Sequence, residues 1–99
     1  SGWSEFWQEG DKIKDLSSYP QASGEVSAWL AQKQISLVGE DLSTSRFHQD
    51  LLIREGIHLL EFMTFSELAR DQVYEFLFVL TPIRFKGATG SPVRPLAIW

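Results

Sequence analysis

The chain has 99 residues, 43% of them apolar and 13% aromatic, which suits one small domain with a single modest core. Nine Lys and Arg against thirteen Asp and Glu leave a net charge of −4, which argues against a general nucleic-acid or anionic-membrane binder, since both need a cationic footprint. The lack of cysteine excludes a disulfide framework, a catalytic thiol and thiolate metal ligation.

Trp3, Phe6 and Trp7 fall at i, i+3 and i+4 and would make one short helical face before Gly10. A helix is predicted from about Gly24 to Lys33. Ser23 is its N-cap, Glu25 complements its positive end, and Val26, Trp29, Leu30 and Lys33 share one face. Ile35 to Val38 reads as a short strand ending at Gly39. Residues 46–55 suit a second helix with Phe47, Leu51 and Leu52 inward and Gly56 as its stop. Ile57 to Phe62 follows as a buried strand, and Ser66 is placed to cap a brief turn carrying Glu67, Leu68 and Ala69. Tyr74 to Leu80 is the strongest β signal, with further strands predicted at Ile83–Lys86 and Val93–Ile98 around a Gly87–Pro92 loop. The order indicates a mixed α/β domain whose final strands pair antiparallel in part.

Charge is unevenly distributed. Residues 1–75 carry 6 basic and 13 acidic side chains, whereas residues 76–99 carry Arg84, Lys86 and Arg94 and no acid. No apolar run approaches the roughly 20 residues of a membrane span and no stretch reads as a signal peptide, so the expectation is a cytoplasmic domain or a piece of one.

Few residues offer chemistry. Of the two histidines, His58 alternates with Ile57 and Leu59 and reads as a surface or packing residue. His48 precedes Glu61 by 13 residues, so a helix-borne imidazole and a strand-borne carboxylate could converge on zinc or manganese. The spacing alone is equally served by a pair that binds nothing. Glu40 and Asp41 follow the strand ending at Gly39, a usual place for ligand contacts in α/β proteins, although helix capping or a solvated loop explains such acids without a ligand. The loop from Gly87 to Arg94 lacks the lysine and helix of a phosphate-binding loop, and its glycines are accounted for by turn positions with positive φ. Arg94 could anchor a carboxylate, from the protein itself or from a substrate.

Taken together, four stretches resemble the cyclase family that includes the bacterial kynurenine formamidases and isatin hydrolases. Gly2-Trp3-Ser4 with Trp7 is similar to its Thr-Gly-Trp-Ser segment, with Ser1 in place of the threonine. Gly39 to Ser43 resembles its Gly-x-Asp-x-x-Ser stretch, with Ser43, Thr44 or Ser45 as the closing hydroxyl. His48 with Leu51-Leu52, Gly56-Ile57 and Leu60-Glu61 is similar to its His-x-x-Leu-Leu…Gly-Ile…Glu block. Pro82 to Arg94 resembles its Pro-x-x-x-x-Gly-x-x-Gly-Ser-Pro-x-Arg signature, the most specific of the four.

The resemblance implies a metal-dependent amidohydrolase with a swivelling β/β/α fold, containing a mixed sheet and two or three short helices. It further implies an activity like that of the arylformamidase of tryptophan catabolism. A divalent metal, zinc or manganese, would activate water for attack on an amide or lactam carbonyl. His48 and Glu61 would be metal ligands, Trp3 and Trp7 would wall a substrate pocket, and Asp41 and Arg94 would make structural or anion contacts. Two departures stand out. The family's His-x-Gly-Thr-His-x-Asp element is absent, and the separation of His48 from Glu61 is one residue longer than usual, which suggests an insertion near Ile53-Arg54-Glu55. With no initiating methionine at Ser1, the chain is therefore expected to be the C-terminal half of the fold, inactive alone. The remaining ligands would come from outside this chain, from a missing half or a partner chain, and self-association into a homo-oligomer is expected. The rival expectation is a non-catalytic binding or assembly domain that keeps half of the fold.

Overall fold

The computed structural model describes Ser4 and residues 20–99. It is a mixed α/β structure that divides into two compact units, one ending at Ser66 and the other running from Glu67 to Trp99. The predicted aromatic face of Trp3, Phe6 and Trp7 lies outside the described residues. No helix among the described residues is long and apolar enough to cross a membrane.

In the first unit, helix α1 spans Gly24–Gln32. The Ser23 hydroxyl accepts from the Val26 N–H at 3.4 Å, and the chain turns off where Gln34 adopts φ 53°. The buried face of α1 shares Leu30 with the predicted one and differs in the rest. Leu30 and Ala31 pack against the core and Ser27 is buried, whereas Val26 and Trp29 are exposed. The small side chains of Ser27 and Ala31 suit a close approach to the neighbouring helical segment. Trp29 is left outside, with the Lys33 ammonium 5.6 Å from its ring centre.

Ser27 also presents a soluble defect. Its hydroxyl is buried with no hydrogen-bond partner among the described residues, which costs the desolvation of that group. Ser27→Ala is expected to raise the unfolding free energy by about 1 kcal/mol, helped by alanine's higher helix propensity. Urea denaturation checks this, and a loss of similar size would mean that the hydroxyl is satisfied in solution.

Strand β1 (Leu37–Gly39) pairs in parallel with β2 (His58–Leu60), with Leu37, Val38 and Gly39 opposite His58, Leu59 and Leu60. The crossover between them starts as helix α2 (Ser45–Phe47) and continues as a π-helical turn over His48–Ile53. The predicted helix over 46–55 is therefore present but widened, and Gly56 ends it at φ +70° while the Ile57 N–H reaches back to the Leu51 carbonyl at 3.0 Å. Phe47, Leu51 and Ile57 form the core, surrounded by Ala22, Leu30, Ala31, Ile35, Val38 and Leu59. Leu52, predicted inward, is exposed.

Helix α3 (Ser66–Arg70) opens the second unit, with its first residue the last of the first unit, and ends where Gln72 takes φ 54°. Arg70 grips Asp71 through two hydrogen bonds of 2.7 and 3.1 Å, which hold the Asp71 carboxyl below its ordinary pKa. That contact is present above the unfolded carboxyl's pKa and is lost as the pH falls through the lowered one. At this exposed position it contributes little stability.

Strand β3 (Leu77–Val79) pairs antiparallel with β4 (Leu96–Ile98). The strands thus form two separate two-stranded ladders rather than the expected single mixed sheet. The expected strand at Ile83–Lys86 does not form, since nothing among the described residues offers it a ladder, and Pro95 delays the start of β4. Leu77, Leu96 and Ile98 lie exposed on one face of this ribbon. Phe76 and Phe78 meet edge to face on the other, 6.2 Å apart. No residue from Glu67 to Trp99 is buried.

Candidate functional site

The parallel pairing of β1 and β2 brings two loop segments together at the carboxyl ends of both strands. Glu40 follows β1, Glu61 follows β2, and the crossover helix starts between them in sequence. Backbone bonds from the Glu40 N–H to the Leu60 carbonyl (2.9 Å) and from the Met63 N–H to the Glu40 carbonyl (2.9 Å) fix these segments side by side. The Phe62 N–H adds a bond to the Leu42 carbonyl at 3.2 Å, with Phe62 itself at φ 54°.

Glu40 is spent on structure. One of its carboxylate oxygens accepts the Thr44 N–H (2.9 Å) and the other accepts the Thr44 hydroxyl (2.6 Å), closing the loop ahead of α2. Of the roles open to the acidic pair, Glu40 therefore takes a structural one, holding Thr44, the N-cap residue of α2. Asp41 is buried beside it. Gln21 completes the helix start by accepting the Ser45 N–H at 3.1 Å.

His48 and Glu61 converge. The His48 Nε2 lies 3.4 Å from the Glu61 Oε1, with the two side chains 41% and 25% exposed, so the pair sits at the surface yet is partly shielded. The same Oε1 accepts the Ser43 hydroxyl at 2.7 Å. On its other side, His48 Nδ1 faces the Thr44 carbonyl at 3.4 Å. A carbonyl only accepts, so in the tautomer with hydrogen on Nδ1 the ring donates to Thr44 and turns a bare Nε2 lone pair toward the carboxylate, whereas in the other tautomer Nε2–H donates to Glu61 Oε1.

At 3.4 Å the two atoms are further apart than a charge-assisted N–H···O bond of about 2.7–2.9 Å and close to the roughly 3.3–3.4 Å between two donors of one tetrahedral ion, so the spacing is compatible with a weak hydrogen bond as well as with a shared cation. Compared with protein-family models, curated proteins and solved structures, the chain matches none.

The other candidate residues take different places. Among the described residues, no group of three or more imidazole or carboxylate side chains is arranged to hold a metal ion. Any ion at His48 and Glu61 would thus need ligands beyond these two. His58 is exposed on β2, as a surface histidine should be. Arg94 belongs to the second unit and is exposed just before β4. Trp3 and Trp7 lie outside the described residues. Sequence spacing missed the anchoring of Glu61 by Ser43 and of His48 by the Thr44 carbonyl. The second has a readable signal, since Thr44 and His48 are four residues apart at a helix start, while the first joins residues 18 apart and has none.

Proposed function

We propose that this chain is the C-terminal part of a metal-dependent amidohydrolase resembling kynurenine formamidase, in which His48 and Glu61 supply two ligands to a zinc or manganese ion. The observation that carries the reading is the 3.4 Å approach of His48 Nε2 to Glu61 Oε1. When bound, the metal would lower the pKa of a water molecule toward neutrality and polarise an amide or lactam carbonyl. This chain's residues would hold and orient it: Nδ1 of His48 is occupied by the Thr44 carbonyl, leaving Nε2 as the ligating atom, and Glu61 is turned toward it by the Ser43 hydroxyl. Remaining ligands come from outside this chain, and so the isolated chain is inactive toward an N-formyl arylamine.

Metal titration followed by elemental analysis tests the reading. The expected result is one zinc or manganese bound per chain, with no hydrolysis of the formyl amide until the complementary half is supplied. Failure to retain either metal, alone or reconstituted, would exclude the assignment.

A second reading is favoured by the β3–β4 ribbon, which exposes Leu77, Leu96 and Ile98 on one face. A non-catalytic assembly domain, homo-oligomeric or bound to a partner chain, would use that surface and leave His48 and Glu61 as a side-chain pair without metal. It predicts a self-associating, metal-free chain by sedimentation and elemental analysis.

A further inference from the structure

We infer that Ser43 is a positioning residue for Glu61, an assignment whose purpose rests on the metal reading above. The Ser43 hydroxyl donates to Glu61 Oε1 at 2.7 Å, and Oε1 is the atom that faces His48 Nε2. An ionised carboxylate only accepts, and an unanchored glutamate rotates freely about its terminal torsion. With one lone pair of Oε1 committed to Ser43, the carboxylate is held with that oxygen toward the imidazole.

Ser43 is in turn held by its neighbour. Glu40 clamps Thr44 through both its N–H and its hydroxyl, and Thr44 is buried. The same Thr44 presents the carbonyl that meets His48 Nδ1. One short loop, fixed at the end of β1, therefore orients both members of the pair: the carboxylate through a side chain, the imidazole through the backbone. Second-sphere partners of this kind typically govern metal affinity by about 10–100-fold.

The test compares the full chain with Ser43→Ala and Ser43→Thr, using zinc alone as the probe. Calorimetry should show zinc binding about 10–100-fold weaker in Ser43→Ala, with an unchanged unfolding midpoint and most of the affinity restored in Ser43→Thr. Equal zinc affinity in wild type and Ser43→Ala would overturn the assignment. So would weakening that tracks a matching loss of unfolding midpoint in both variants, since that marks a general folding effect. A second measurement needs no metal. The carboxyl carbon chemical shift of Glu61, read by NMR in the metal-free chain at neutral pH, should move in Ser43→Ala and return in Ser43→Thr; identical shifts overturn the role. If wild type takes up no zinc, the metal reading falls, and the carboxyl shift alone decides the role of Ser43.

Discussion

Leu51→Ala is expected to destabilise the chain by about 2–5 kcal/mol, the range for truncating a buried leucine in a core that relaxes only partly. Leu51 is the one fully buried large side chain among the described residues, at 0% exposure. It sits between Phe47 and Ile57, and the shell around them draws on α1, β1 and β2. Truncating it opens a cavity at the point where these elements meet. Small domains hold only about 5–15 kcal/mol in total, so the variant should unfold at much lower urea or not fold at all at ambient temperature. Leu51→Met, which roughly conserves volume, should cost less than about 1.5 kcal/mol. Ile53→Ala, two residues away but 67% exposed, should stay within roughly 0.5 kcal/mol of the parent. Urea melts followed by far-UV circular dichroism measure all three. Similar losses for Leu51→Ala and Ile53→Ala would mean that this core is not what holds the fold.

His48→Ala is expected to abolish measurable zinc or manganese binding, a loss larger than the roughly 10–100-fold attached to an outer-shell partner. The variant would remove one of the two proposed ligands, and a single carboxylate left at the surface competes poorly with water for either ion. Glu61→Gln should act similarly, since its amide oxygen still accepts from Ser43 but carries no charge. His58→Ala supplies the internal control, because His58 is exposed on β2 and outside the pair; its metal binding should equal the parent's. Loss of binding in His58→Ala, or retention in His48→Ala, would relocate the site.

Much of the first unit was legible from local chemistry. Ser23 as a cap and Gly56 as a helix stop are each dictated by a requirement of the backbone at that residue, and those requirements do not depend on tertiary context. The face of α1 was not legible in the same way. Counting apolar residues favours Val26 and Trp29, but the approach of the crossover helix selects the small Ser27 and Ala31. The Ile83–Lys86 segment has suitable strand composition yet gains nothing from extension without a partner ladder. At the site, the convergence of His48 with Glu61 follows from a helix start and a strand end that meet above two parallel strands. The donors that orient them depend on side-chain contacts between loops, which no periodicity encodes.

The π-helical turn over His48–Ile53 bears on how the crossover tolerates a change in length. A π turn closes over one more residue than an α turn, so it stores an inserted residue as local girth and does not pass it on as a rotation of everything downstream. His48 opens this turn and Glu61 follows the strand after it, 13 positions on in the chain and 3.4 Å away in space. The count of residues between the two can therefore change inside the turn while their approach stays in place.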